Sequence, residues 1–413
     1  MTPLTLSKNI RPTNGVTVSH GEGAIFWDGH GRRYIDLSSQ TMNVLFGQRH
    51  PRIREAVGSL LDRYTFFDQD FQNPLYEQAM TALASLLPSQ LTTFNLRMND
   101  GSSAVECAVK QARRYRARPR VLTVDGIYLG ENAQTIHFRG WGQRPEDMLL
   151  GGSEDVVFAP MPYPDYDIPF CEAAAENGTA IAALIAAQHE RLACVLVDPV
   201  MISCGVTTGR DMGTLLRTVD RACKTYSVPL IFDECQTFGW VPHHTLANYY
   251  GIDVDLLVLA KGVGGGLPLS VCASRPEFDN LCFGDADYTN GGTPAAIAGL
   301  ICTCELLSSS AEAEHFERLM RELRTRLLQL ETESRGRVRV RGVGLIWAIQ
   351  VCIADEWEAN CRMAKAAAAA SLRRGLYVRT HGANLTLKPP RAISLEQLGE
   401  ALDVIVDVVQ TLN

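Results

Sequence analysis

No stretch of this sequence approaches the roughly 18–20 consecutive apolar residues of a membrane-spanning helix, so no membrane partner is expected. Basic blocks are also missing. Lysines and arginines are interspersed with acids and the net charge is −7, which makes nucleic acid a poor partner. The opening MTPLTLSKNIRPTNG has none of the apolar core of a secretory leader, and a cytoplasmic location is expected. There is no low-complexity tail and no long-period repeat. Twelve cysteines are present but scattered, and Cys107, Cys194, Cys223 and Cys272 sit inside apolar runs. They read as buried thiols and not as a disulfide framework. Cys302 and Cys304 form a lone Cys-x-Cys pair in a helix-like run, which is too little for a metal site, and no metal is expected.

What is present is an ordinary globular composition, 46% hydrophobic and 21% charged over 413 residues, long enough for two domains. Short apolar runs recur at 121–125, 156–160, 194–200, 230–234, 256–260 and 270–274. Between the third and fourth, Leu215, Leu216, Val219, Ala222, Cys223 and Tyr226 fall at helical spacing. Strand–helix alternation of this kind predicts an α/β fold with a largely parallel sheet covered by helices. The N-terminal part differs: EGAIFWDGHGRRYIDLSS alternates with period two around an Asp-Gly-His-Gly turn and reads as a hairpin. From about 315 the chain is helix-rich, with strands in RVRVRGVGLIWAIQV. A small α+β domain built from both chain ends is therefore expected beside the central α/β domain, with 1–60 and 311–413 in the former and 61–310 in the latter.

The most informative stretch is PLIFDECQTFGWVPHHTLANYYGIDVDLLVLAKGVGGGLPLS at 229–270. One apolar strand ends on Asp233 and Glu234. Another, 28 residues on, ends on Lys261 and runs into glycines 262, 264, 265 and 266. In an open parallel sheet such strand ends face the ligand crevice. An amine that follows five apolar residues must lose its charge, find a partner or do chemistry. A carboxylate and an amine meeting in one crevice are what pyridoxal 5′-phosphate (PLP) requires: the amine forms the Schiff base, and the acid partners the pyridinium nitrogen. The glycine run lacks the GK[ST] ending of a nucleotide loop and follows its lysine. His243 and His244 bring no acid–cysteine cluster with them and read as surface histidines.

From the hairpin to the Pro-Pro pair at 389–390, and most strongly over 194–300, the chain resembles the class III (ω-) aminotransferases of PLP fold-type I. The Asp-Glu-x-Gln-Thr pattern at 233–237 and Ala-Lys-Gly-x-Gly-Gly-Gly-x-Pro at 260–268 carry the resemblance together. It implies a mostly parallel seven-stranded sheet in the large domain. It also implies roles: Lys261 as the catalytic Schiff-base lysine, Asp233 on the ring nitrogen, Gln236 toward the ring hydroxyl and Tyr128 stacked on the ring. Gly101 and Ser102 would open the helix that takes the phosphate, through its N–H groups and dipole. Thr289 would contact the phosphate of a neighbouring subunit, making a homodimer with shared sites. Gln40 and Asn43, in an SSQxxN segment like that of relatives handling ω-amines, are substrate-pocket candidates, although they also read as capping polars after a strand.

Several positions depart from the family pattern. Asp198-Pro199 stands where Glu-Pro is usual, Phe-Gly-Arg has become Phe238-Gly239-Trp240, and Leu129 replaces a histidine. The arginine that clamps a substrate carboxylate in many relatives falls on Thr386, which cannot make a bidentate charged pair. Lys388 and Arg391 are the nearby alternatives, with alternation leaving their direction open. The expected activity is transfer of an amino group between an amine or amino acid and a keto or aldehyde acceptor, with small-molecule substrates. The alternative keeps the cofactor but uses the carbanion for elimination or carbon–carbon bond formation, for example on S-adenosylmethionine in specialised metabolism. A non-catalytic binding protein on the same scaffold would be expected to have gained a DNA-binding domain or lost the lysine.

Overall fold

A computed structural model of the protein describes residues 6–10, 12–63, 65–68, 70–140, 153–160, 170–206 and 210–412. Its centre is a seven-stranded sheet. In spatial order the strands are Thr93–Met98, Ser270–Ser274, Leu256–Leu259, Leu230–Asp233, Leu192–Val197, Arg120–Val124 and Val156–Ala159. Ser270–Ser274 runs antiparallel to both its neighbours, and the other six strands are parallel.

Six of these strands coincide with apolar runs read in the sequence. The strands Leu192–Val197, Leu230–Asp233 and Leu256–Leu259 are buried along their whole length, as expected for strands covered on both faces. The seventh, TFNLRM at 93–98, escaped the sequence reading. It is an edge strand and is mostly half-buried, so no apolar run marks it. Helices Gly101–Arg116 and Arg210–Thr225 follow strands, as βαβ units require.

The hairpin forms as expected. Ile25–Asp28 pairs antiparallel with Arg33–Asp36, and Asp28 Oδ1 accepts from the backbone N–H of His30 and of Arg32 to hold the turn, at 2.9 Å each. Leu376–Tyr377 from the C-terminal part adds to this sheet in parallel, opposite Ile35 and Asp36, so the two ends of the chain share a sheet. A second four-stranded antiparallel sheet holds Val338–Val343, Ile346–Val351, Asn384–Leu387 and Arg379–His381. Helix Trp357–Arg373 packs on it, and Leu395–Gln410 packs against that helix and against Ser310–Glu333. Helix Leu395–Gln410 opens on a capping box in which Ser394 and Gln397 satisfy each other's backbone N–H groups. Among the described residues no single helix is long and apolar enough to cross a membrane.

Candidate active site

The parallel strands deliver their carboxyl ends to one crevice. Sheet order reverses between Arg120–Val124 and Leu192–Val197, the kind of switch point at which open α/β sheets bind ligands. A cavity of about 370 Å³ lies there, lined by residues that include Gly101, Ser102, Tyr128, Asp198, Asp233, Gln236 and Lys261. All seven were named from sequence. They come from the ends of five different strands, which explains why no short motif spans them.

Asp233 ends its strand buried, and its Oδ1 accepts from the Cys235 N–H at 3.0 Å. Burial pushes the carboxyl above its ordinary range, offset by the Cys235 hydrogen bonds and the positive charge of Lys261. Its neighbour does something else. Glu234 is fully buried and turned away from the cavity, where Oε2 accepts from Thr237 Oγ1 at 2.6 Å and the Leu246 N–H at 2.8 Å, and Oε1 accepts from the Ala247 N–H at 2.8 Å. It pins the following loop, and burial pushes its carboxyl up to about 7. Lys261 opens a short 3-10 turn with φ of +51°, a left-handed conformation that side chains adopt reluctantly. Backbone strain of this kind concentrates at functional sites.

On the opposite wall, helix Gly101–Arg116 points its N-terminus into the cavity. Asp100, which a nearby phosphate would repel, has its carboxylate committed as the N-cap. Oδ1 accepts from the Ser103 N–H at 3.0 Å and Oδ2 from Ser103 Oγ at 2.9 Å. A Cβ on Gly101 would lie 2.9 Å from Cys235 Sγ, and one on Gly130 would lie 2.8 Å from Ser102 Oγ. Ser102 Oγ also accepts from the Glu131 N–H at 3.1 Å, tying the two loops into one cup. Tyr128 is half-buried. Its backbone N–H donates to Ser203 Oγ at 3.0 Å, and the Arg139 guanidinium lies 5.5 Å from its ring. Asp198 is buried, with Oδ1 accepting from the N–H groups of Val200 and Met201 at 2.9 Å each. Burial, then the charge of Asp233, push it up to about 6.

The remaining candidates lie elsewhere. Thr289 is exposed in the loop before Gly291, outside this cavity, and lines a separate hollow with Phe66, Arg97 and Phe283. Gln40 and Asn43 are half-buried. Gln40 is held by Asp36, whose Oδ2 accepts from Gln40 N and Nε2 at 2.8 and 2.7 Å. Thr386 is fully buried within its sheet, with Oγ1 3.0 Å from His381 Nδ1. Lys388 and Arg391 are sealed as well. Lys388 Nζ donates to the Met42 carbonyl at 2.9 Å and sits 3.6 Å from the centroid of the Trp240 ring. Arg391 donates to the carbonyls of Gly239 and Glu312 at 2.9 and 3.1 Å. The sequence reading missed Glu131, Asn132 and Cys235 as lining residues. Cys235 was detectable as the residue between Glu234 and Gln236 in the strand-end motif, but the other two carry no local signal.

The cavity suits PLP: it has an acid at one end, an amine on a strand end, unhindered helix-start N–H groups and an aromatic ring. Its volume is within the usual range for small-molecule sites. The profile of "Aminotransferase class-III" matches residues 6–409. The chain belongs to the class III aminotransferases. Curated relatives agree. The 4-aminobutyrate aminotransferase of Mycobacterium bovis is 27% identical over 424 residues, covering 98% of this chain and 94% of that protein. The 2-aminoadipate transaminase of Pseudomonas putida is 27% identical over 417 residues, with 99% of each covered. Among solved structures, an aminotransferase from Vibrio fluvialis in its PMP-bound form superposes with a TM-score of 0.85 at 21% identity, covering 96% of this chain and 92% of that one. This class III aminotransferase is accordingly a PLP-dependent transferase of fold-type I. The family match favours amino transfer over the elimination or carbon–carbon bond-forming alternative.

Proposed function

We propose that this aminotransferase moves an amino group from a small amine or amino acid to a keto or aldehyde acceptor, with Lys261 and Asp233 as its catalytic pair. The observation that carries this reading is their convergence, from two separate strand ends, on one cavity with the start of helix Gly101–Arg116. When bound, PLP supplies an aldehyde that takes up amines and a ring that spreads the electron pair left by C–H cleavage. Lys261 Nζ is the amine that would hold the cofactor, and as a free amine it would take the proton from the donor carbon and return one to the acceptor carbon. Asp233 would keep the ring nitrogen protonated through a charge-assisted hydrogen bond worth about 1.5–3 kcal/mol. Tyr128 and Gln236 would hold the ring, and the N–H groups at Gly101 and Ser102 would hold the phosphate. The donor leaves as a carbonyl with oxygen from water, and the acceptor carbonyl leaves its oxygen as water, so donor oxidation balances acceptor reduction.

The same reading makes the enzyme a cytoplasmic homodimer in which Thr289 reaches the partner's phosphate. What supports the dimer is the exposed apolar surface around that loop, with Phe66 42%, Phe71 69% and Phe283 81% exposed. The small domain would comprise 1–60 and 311–413, and the large domain 61–310. Borohydride reduction of the holo-protein followed by peptide mapping tests the assignment. The cofactor should be fixed on Lys261, and its fixation on another residue refutes the site.

A further inference from the structure

Trp240 is fully buried, and different parts of its ring have different partners. Nε1 donates to the Pro389 carbonyl at 3.1 Å, and Lys388 Nζ lies 3.6 Å from the ring centroid. The far edge of the ring stands against Gly262, the residue after Lys261. A Cβ built on Gly262 would lie 2.7 Å from Trp240 Cζ3 and 3.0 Å from Cη2, closer than side chains pack. The main chain at Gly262 is not left-handed, unlike that at Lys261, Gly265 and Gly266. Conformation therefore does not demand a glycine here; the indole edge does.

The backbone that carries this ring is pinned as well. Trp240 belongs to the loop leaving Asp233, and Glu234 holds that loop by accepting from the Leu246 and Ala247 N–H groups at 2.8 Å each. The Trp240 N–H donates to the Thr237 carbonyl at 2.9 Å, and the Trp240 carbonyl accepts from the Leu345 N–H at 2.9 Å. A stiff side chain thus runs from the Asp233 strand end to the turn Lys261–Gly264. Lys261 has φ of +51°, a conformation that its surroundings must impose. The ring behind Gly262 keeps the turn from relaxing on that side.

We propose that Trp240 is a positioning residue for Lys261: it holds the turn of the amine at a fixed place relative to Asp233, and Lys388 and Pro389 hold the ring. The inference rests on the proposed roles of Lys261 and Asp233. Misplacing a reacting group by about 1 Å costs up to about 100-fold in rate, so a looser turn should lower turnover more than substrate affinity.

Amide hydrogen exchange of the cofactor-free protein reads the turn directly, at the Val263 and Gly265 N–H groups, which donate to the Ala260 and Gly262 carbonyls at 3.3 and 3.2 Å. Trp240→Phe should speed exchange over 261–265 about tenfold relative to the strand Leu192–Val197. In the holoenzyme it should lower kcat about tenfold with KM within about twofold. Gly262→Ala meets the same contact from the other side and should also lower kcat. The double variant, whose smaller ring leaves room for the methyl, should recover part of that loss. If Trp240→Phe does not fold, Lys388→Met, which frees the ring without shortening it, should give the same local exchange and kcat pattern in smaller measure. Exchange that rises uniformly with kcat per bound cofactor unchanged would make Trp240 core packing alone and overturn the proposal. A double variant no better than Gly262→Ala overturns it too. Fixation of the cofactor on a residue other than Lys261 overturns the site reading first, whatever the exchange shows, and the positioning role with it.

Discussion

The cleft at the strand ends and the wall formed by 38–43 and 384–391 are both rich in polar residues, yet they use them in opposite ways. In the cleft, Asp233 and Lys261 leave functional atoms facing the cavity. In the wall, Thr386, Lys388 and Arg391 are turned inward and bonded to the protein itself. The wall is further knitted by Ser39 Oγ donating to the Lys388 carbonyl at 2.7 Å and by the Lys388 N–H donating to the Leu37 carbonyl at 2.6 Å. The proposed catalytic groups are thus held by the rigid sheet, while Lys388 and Arg391 put their charge into holding the irregular chain around them. The lesson is that a basic residue near an active site tells little about substrate charge until its partners are known.

Substitutions can separate the two regions. Lys261→Ala should have the largest effect, a loss of turnover on the order of 10⁴-fold, measured in steady state. Residual transfer within tenfold of wild type would remove the lysine from its role. Asp233→Asn should follow, with activity down on the order of 100-fold while the circular dichroism spectrum stays native. In the wall, Thr386→Arg should act on stability. An arginine forced into a fully buried strand position should cost about 3 kcal/mol in urea unfolding, with no gain in turnover of 4-aminobutanoate. A gain there would mean that the wall opens and that the contrast between the regions is false.

A subtler effect is expected at the cup. Gly101→Ala drives a methyl toward Cys235 Sγ and should weaken cofactor binding by about 1–2 kcal/mol. Adding Cys235→Ala should restore part of that loss in the same fluorescence titration. The smallest effect is on pH. Burial raises the carboxyls of Asp36 and Asp198 to about 6 and of Glu234 to about 7, so the folded state retains protons that the unfolded chain releases. Stability from these groups is full below the ordinary carboxyl range and is lost as pH rises through 6 to 7. Melting temperature of the cofactor-free protein should therefore fall by a few degrees from pH 5 to pH 8. Asp36→Asn should flatten that slope.

The cleft was readable because its polar groups end uninterrupted apolar strands. Asp233 and Lys261 stand out against LIF and LLVLA, and a polar group there must have a purpose. The division of labour within Asp233-Glu234 was not readable. What occupies Glu234 is a pair of N–H groups 12 and 13 residues downstream, brought near only by the loop. The direction of Lys388 was equally hidden. The strand ends at Leu387 and prolines follow, so alternation no longer reports which side a residue faces. The edge strand at 93–98 lacked an apolar run, and Glu131 is an acid in a loop, a pattern shared with many solvent-facing positions.

The left-handed turn at Lys261 has a further consequence. A sequence shaped for folding alone would place glycine or asparagine there, because a side chain in that conformation costs about 1–2 kcal/mol. Heat tolerance and turnover therefore pull this position in opposite directions. The cofactor-free Lys261→Gly protein should outlast the native one on heating while doing no chemistry, so a screen for thermostable variants that ignores activity would tend to discard the one amine the enzyme needs.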